Sequence, residues 1–163
     1  MEEIYTAYYE SPLGAIQIKS TSQAVQSILF ISQTGTNDLH LPAVLIECIN
    51  QLADYFRGER QSFSCAIKQP IGTPFQETVW KNLIDIPFGK TLSYLELARK
   101  IGDEKSVRAV GNANSRNQIS IIVPCHRVIG SNKQLVGYAG ELWRKKWLLE
   151  HEQKVASRQL SLF

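Results

Sequence analysis

Two stretches in the second half of the chain, Thr73-Pro74-Phe75-Gln76 and Ser93-Tyr94-Leu95-Glu96, share one pattern. Each opens on a hydroxyl residue that can accept from a backbone N–H, and each places Gln or Glu three positions on, where it can reach back to the cap. In the first, Pro74 also stands at the first helical position, where its missing N–H costs nothing. These are strong helix starts, and they commit this part of the chain to short, capped helices. The first runs through Val79, Trp80, Leu83 and Ile84 to Pro87. The second ends at Gly102. Asp103 then caps a third, through Val107, Arg108, Ala109 and Val110 to about Asn114, and a final helix covers about 141–152 with Leu142, Leu148 and Leu149 as apolar anchors. Two short helices joined at a tight glycine turn predict a helix-turn-helix; an ordinary helical hairpin has the same pattern.

The first half reads differently. Residues 4–31 alternate as strands do, as in Ile16-Gln17-Ile18-Lys19, and Ser11-Pro12-Leu13-Gly14 supplies a turn between two of them. After a polar loop at 32–40, Leu45, Ile49, Leu52 and Phe56 form a helical stripe over 43–57, and Gly58 is a natural stop. Residues 59–72 are turn-rich. The expected organisation is an α/β domain over 1–71 (a small sheet plus a helix), a mostly α domain over 72–152, and a flexible polar tail over 153–163.

No apolar stretch is long enough to span a bilayer, and Met1-Glu2-Glu3-Ile4 lacks the form of a secretory signal. Cys48, Cys65 and Cys125 are odd in number and widely spaced, as expected of reduced thiols in a cytoplasmic protein. With no Cys-x2-Cys pair and no ligand spacing among His40, His126 and His151, neither a metal nor another cofactor is expected. The net charge of +3 permits a nucleic-acid partner without demanding one.

Chemistry concentrates at Pro124-Cys125-His126-Arg127-Val128-Ile129-Gly130, which follows the apolar run Ile119-Ser120-Ile121-Ile122-Val123. That run reads as a buried strand, so the proline sets a thiol and a base at the edge of a core. A thiol needs such a neighbour, because the thiolate is the nucleophile. A small buried cysteine is the plain alternative. On the third helix, Ala109, Gly111, Asn112 and Ala113 are small, with Arg108 at the start of the face. Small residues suit a helix that must enter a narrow minor groove, although they also suit packing against another helix. Lys145, Leu148 or Leu149, and Glu152 share a face of the last helix. A carboxylate near a helix C-terminus is mildly unfavourable, so Glu152 is either an ordinary surface residue or the group that orients a histidine.

Taken in order, Gly72-Thr73-Pro74-Phe75-Gln76 with Val79-Trp80, Ile86-Pro87-Phe88-Gly89 with Ser93-Tyr94, Arg108-Ala109-Val110-Gly111-Asn112-Ala113, the Pro124–Gly130 stretch, Gly137-Tyr138-Ala139-Gly140 and Lys146-Trp147-Leu148-Leu149-Glu150-His151-Glu152 closely resemble the O6-alkylguanine-DNA alkyltransferases. The match covers residues 72–152; the first half matches more loosely, at Ser11-Pro12-Leu13-Gly14 and Tyr55-Phe56-Arg57-Gly58. The resemblance implies a ribonuclease-H-like first domain and a winged-helix-like second. It implies a monomeric repair protein that binds duplex DNA in the minor groove, flips the damaged guanine out and moves its O6-alkyl group irreversibly onto Cys125, once per molecule. By the same resemblance His126 is the base, acting through a water, and Glu152 orients it. Tyr94 protonates guanine N3 with Lys145 nearby, and Arg108 fills the gap left by the base. Ala109, Gly111 and Asn112 lie on the DNA-facing helix, and Asn117 ties that helix to the active-site turn. Tyr138 packs on the flipped base while backbone groups of Val128 and Ala139 read its edges. O4-alkylthymine is a further conceivable substrate. The alternative is a non-catalytic damage sensor of the same fold. Two positions depart from the family pattern: Gln118 stands where a proline is common, and Glu141 where a second glycine is common.

The chain ends Gln159-Leu160-Ser161-Leu162-Phe163. This pentapeptide resembles the bacterial sliding-clamp-binding motif, and Gln159, Leu160, Leu162 and Phe163 are the residues expected to enter the clamp. The alternative is that the apolar three fold back on the protein's own surface.

Overall fold

The computed structural model describes residues 2–161, with side chains through 158. Two compact units emerge. One comprises residues up to Pro70 together with Gln118–Ser120; the other comprises Ile71–Asn117 and the chain from Ile121 onward.

The first unit is a three-stranded antiparallel sheet, β1 (Tyr5–Ser11), β2 (Gly14–Ser20) and β3 (Val25–Phe30), in the order β1-β2-β3. The β1–β2 turn forms where the sequence predicts it. Gly14 takes a φ of 100°, and Ser11 Oγ accepts from Leu13 N at 3.0 Å. Helix α1 (Ala43–Phe56) lies against the sheet. Its stripe meets the alternating inner residues, so that Ile16, Ile18, Val25, Ile28, Leu45, Leu52 and Tyr55 are wholly buried. Residues 118–120 join this unit through Ile28 N, which donates to Gln118 O, and Ser120 N, which donates to Ile28 O.

The second unit is helical: α2 (Pro74–Ile84), α3 (Tyr94–Ile101), α4 (Val107–Ser115) and α5 (Leu142–Ser161). A two-residue parallel pair, β4 (Leu92–Ser93) with β5 (Val128–Ile129), ties the start of α3 to the chain after Arg127. Both predicted capping boxes form, with Thr73 accepting from Gln76 N and Ser93 from Glu96 N. Gly102 closes α3 at a φ of 106°, in the left-handed region that glycine enters without strain. Asp103 caps a 3₁₀ turn, Glu104–Ser106, that leads directly into α4. Trp80 Nε1 on α2 donates to Ala113 O on α4 at 2.9 Å, which fixes the second helix of the pair against the first of the unit.

Two expectations are corrected. The run 119–123 is not a strand. Only Ile119 bridges, to Ile28, and the following residues turn, with Ile121 at a φ of 73°. Ile119, Ile121 and Val123 are buried as the pattern requires, yet no ladder forms, because Val123 O is taken by Cys125 N and by the Asn117 side chain. The polar segment from Gln153 is not a flexible tail, since α5 continues through Ser161. Residues 153–158 hold no glycine or proline, Val155 is buried, and Gln153 Nε2 donates to Gly89 O at 3.0 Å. The side chains of Gln159, Leu160, Leu162 and Phe163, where the clamp reading falls, lie outside the described residues. Among the described residues no helix is long and apolar enough to cross a membrane.

Candidate active site

Cys125 begins a 3₁₀ turn, Cys125–Arg127, launched by Pro124. The turn is buried along its length, with Cys125 6% exposed and His126 not at all. It is clamped by two asparagines. Asn117 Nδ2 donates to Val123 O at 2.9 Å and lies 3.2 Å from Cys125 Sγ. Asn114 Nδ2, on α4, donates to Cys125 O at 3.3 Å. The helix that the sequence marks as DNA-facing is therefore bonded to the backbone of Cys125.

His126 points its Nε2 at Glu152 Oε2, 2.8 Å away. A carboxylate accepts, so Nε2 carries the proton and Nδ1 keeps its lone pair. Nδ1 is buried and has no protein partner among the described residues. Glu152 also receives Arg127, whose Nε donates to Oε1 at 2.8 Å and whose Nη2 donates to Oε2 at 3.0 Å. Arg127 Nη1 donates to Ile86 O. Burial pushes the Glu152 carboxyl up, but His126 and Arg127 outweigh it and hold the group well below the usual carboxylate range. Glu152 is thus a buried ion that orients two neighbours, and the surface reading of it fails.

Burial pushes the Cys125 thiol up, against the Asn117 contact and the Lys145 charge, which pull it down. Burial likewise pushes His126 down, against the pull of Glu152. The resting pair is a neutral thiol beside a neutral imidazole.

Tyr94, the first residue of α3, and Lys145, on α5, converge on one carbonyl. Tyr94 Oη donates to Val136 O at 3.0 Å, and Lys145 Nζ donates to the same oxygen at 2.7 Å. The ammonium sits 5.7 Å from the centre of the Tyr94 ring. Lys145 is fully buried, and that burial lowers its pKa to about 8. Burial also raises the Tyr94 phenol. Lys145, Leu148 and Glu152 do share one buried face of α5, as their spacing predicts.

The remaining candidates divide by exposure. Val128 and Tyr138 are buried, and Ala139 is exposed on the 130–141 segment. On α4, Arg108, Ala109 and Asn112 are exposed and Gly111 is half-buried, while Val110, Ala113 and Asn114 face inward. Ala109 and Asn112 thus form an open face with Arg108 at its head and half-buried Gly111 beside them, whereas Ala113, expected on that face, packs inward. Glu141 sits in the left-handed region, at a φ of 76°, where its carboxylate accepts from Trp143 Nε1 at 2.8 Å. Asn114 and Arg127 are the site residues that sequence reasoning overlooks. Asn114 carried a signal, a polar residue four positions after buried Val110 on the inward stripe; Arg127, on a turn, carried none. Among the described residues no cluster of three or more His, Cys, Asp or Glu is arranged to hold a metal ion.

Comparison with known proteins places both halves of the chain in one family. Residues 74–154 match the DNA-binding domain of 6-O-methylguanine DNA methyltransferase, and residues 4–69 match its ribonuclease-like domain. The methylated-DNA–protein-cysteine methyltransferase of Methanosarcina mazei is 51% identical over 155 residues, covering 92% of this chain and 98% of the relative. The constitutive one of Bacillus subtilis is 41% identical over 164 residues, covering 95% and 98%. The crystal structure of the Mycobacterium tuberculosis O6-methylguanine methyltransferase is 39% identical, covers 99% of both chains and gives a TM-score of 0.86. The same bacterium's OGT in complex with DNA gives 0.82 at 40% identity, covering 91% of this chain and 92% of that one. With both domains matched and identity sustained from end to end, the chain belongs to the methylated-DNA–protein-cysteine methyltransferase family.

Proposed function

We propose that Cys125 is the residue this protein spends when it repairs DNA by direct reversal, taking the O6-methyl group of guanine as a thioether. The observation that carries this is the buried line Cys125, His126, Glu152, with the 2.8 Å His126–Glu152 bond and the free Nδ1 on its far side. A buried nitrogen acceptor is satisfied by a hydrogen bond, and a water between Nδ1 and Sγ supplies both that bond and the proton path.

The sulfur–methyl bond forms as the methyl–O6 bond breaks, and the electron pair released to guanine is neutralised at N3. Tyr94 gives its phenolic proton to N3, exchanging the Val136 carbonyl for the ring nitrogen. His126 accepts the thiol proton, and the phenolate regains one. Neutral guanine leaves, and the thioether has no path back, so each molecule acts once. Lys145 holds Val136 in place after Tyr94 lets go, and its charge favours the thiolate.

DNA is met by α4. Its open face of Ala109, Gly111 and Asn112 lets the backbone approach a minor groove, and Arg108 enters the stack as the guanine leaves it, offsetting a flipping cost of a few kcal/mol. Tyr138 packs on the flipped base, and backbone groups of Val128 and Ala139 read its edges. The protein works as a monomer in the cytoplasm. Gln159, Leu160, Leu162 and Phe163 tether it to the replication clamp; deleting 159–163 abolishes clamp binding and spares methyl transfer, and unchanged clamp affinity refutes the tether.

One experiment tests the core of this reading. The protein is mixed with a duplex containing O6-methylguanine, and intact and peptide masses are measured. One methyl on the Cys125 peptide, never more than one per molecule, is expected. Binding without any mass gain would establish the sensor instead.

A further inference from the structure

We propose that Arg127 is a positioning residue for the base step, its guanidinium fork taking up the charge of Glu152 so that the carboxylate orients His126 as a neutral imidazole and does not trap it as an imidazolium. This rests on the assignment of His126 as the base.

A buried carboxylate bonded to a histidine and to nothing else favours the charged ring. An imidazolium carries a proton on both nitrogens, so its Nδ1 has no lone pair with which to take the thiol proton. The relay therefore needs a carboxylate that fixes the ring while its own charge is already met. Arg127 meets it. Its Nε donates to Oε1 at 2.8 Å and its Nη2 to Oε2 at 3.0 Å, the two-point fork that a planar guanidinium makes with a carboxylate. Gly89 N donates to Oε1 at 3.4 Å, more weakly. His126 Nε2, 2.8 Å from Oε2, thus shares its oxygen with Nη2.

The fork is held from its far side. Arg127 Nη1 donates to Ile86 O at 2.6 Å, and Cζ lies 5.6 Å from the centre of the Phe88 ring. The two side chains are 7% and 1% exposed, so each ion is met by the other and not by bulk water. Burial of the ring disfavours the imidazolium and Glu152 favours it, while Arg127 and Lys145 oppose Glu152. The Lys145 ammonium donates to Val136 O at 2.7 Å, and Cys125, in the same turn as His126, is a neutral thiol at rest. Arg127 is the cation joined to the carboxylate that holds the base. In the transfer step the S–H bond breaks as Nδ1–H forms, by way of the water. Only then does the ring carry a charge for Glu152 to stabilise.

The test is a pH profile of single-turnover transfer on saturating O6-methylguanine duplex, run between about pH 5.5 and 8.5. Arg127→Met raises the His126 titration midpoint, read from the nitrogen shifts of ¹⁵N-labelled histidine, by about one pH unit or more. Its rate relative to wild type is lowest at the acid end and improves by about three- to tenfold toward the alkaline end, where the ring is neutral again. The ratio cancels titrations that both proteins share, Lys145 and Cys125 included. Arg127→Lys keeps the charge, and its midpoint stays within about half a unit of wild type. In a Glu152→Gln background Arg127→Met leaves the midpoint where it is. Melting temperatures identify a variant that fails to fold, and Arg127→Gln then replaces Arg127→Met. A rate ratio that is flat with pH overturns the inference, as does an unmoved midpoint in Arg127→Met or an equal rise in the Glu152→Gln background. An imidazolium in the wild-type protein at neutral pH overturns it whatever the variants do. His126→Ala at the wild-type rate overturns the base assignment and this inference with it, whereas a slow His126→Ala with a flat ratio overturns this inference alone.

Discussion

Glu152→Gln is the substitution on which the proposed relay stands or falls, and its cost can be worked from the contacts. The carboxylate is 1% exposed and takes His126 Nε2 at 2.8 Å, Arg127 Nε at 2.8 Å and Arg127 Nη2 at 3.0 Å. A glutamine fills the same volume but turns an N–H₂ toward one of those donors and leaves the Arg127 guanidinium, whose side chain is 7% exposed, without its counter-ion. Breaking a buried pair from one side costs about 3–5 kcal/mol. In a chain of this length that lowers the melting temperature by roughly 6–20 °C. Denaturant unfolding near neutral pH measures it.

The pH dependence carries a sign of its own. Glu152 is depressed in the folded state, so its stabilisation is present above its ordinary value of 4.5 and is lost as the pH falls below it. His126 is depressed as well, from 6.5, so protonation favours the unfolded chain as the pH falls through that value. Both act in one direction. Wild type weakens below pH 6.5 and more steeply below 4.5, and the gap between wild type and Glu152→Gln narrows on that second limb. Methyl transfer should slow by about 10²–10⁴ through loss of base catalysis. A variant within about 1 kcal/mol of wild type and within about threefold of its rate would refute the relay.

Three further outcomes are expected. Gly137→Ala forces a side chain onto a φ of 65° and a Cβ to within 3.0 Å of the Tyr94 hydroxyl, so it costs about 1–2 kcal/mol in unfolding and slows transfer more than it weakens DNA binding. Lys145→Met removes an ammonium whose pKa burial lowers to about 8; because the unfolded chain keeps that proton up to 10.5, wild-type stability rises relative to the variant between those values, which paired unfolding curves across that range will show. Arg108→Ala slows transfer from duplex DNA about ten- to hundredfold by removing the wedge, while transfer from free O6-methylguanine base falls far less.

Much of the fold was legible because its signals are local. A capping box joins residues three apart, so Thr73 and Ser93 announced α2 and α3 with no knowledge of the rest of the chain. The inner face of the sheet followed from periodicity, and so did the Lys145, Leu148 and Glu152 face of α5, although Leu142, expected to anchor that helix, is 47% exposed. The run 119–123 misled for the opposite reason. β-branched, apolar residues report burial, and burial here is met by a turn whose last carbonyl, Val123 O, is claimed by Asn117 and Cys125. The tail misled because a polar stretch can still be helical, and every fourth residue or so of α5 touches the domain: Glu152, Val155 and, beside Gly89, Ala156.

The site divides along the same line. Cys125 and His126 are adjacent in sequence, so the thiol and its base could be paired by reading. What makes them a site is the set of groups around them: Glu152 from α5, Tyr94 from α3, Asn114 from α4, and Arg127 from the same turn. Family resemblance named the first two. It did not name Asn114 or Arg127, because their work is to support other residues, Asn114 holding the Cys125 backbone, Arg127 holding Glu152. Support of this kind is expressed as a buried polar group placed where burial alone would prefer an apolar one. In sequence such a residue looks like a flaw in the pattern, and only its partners in space show that the flaw holds the chemistry in register.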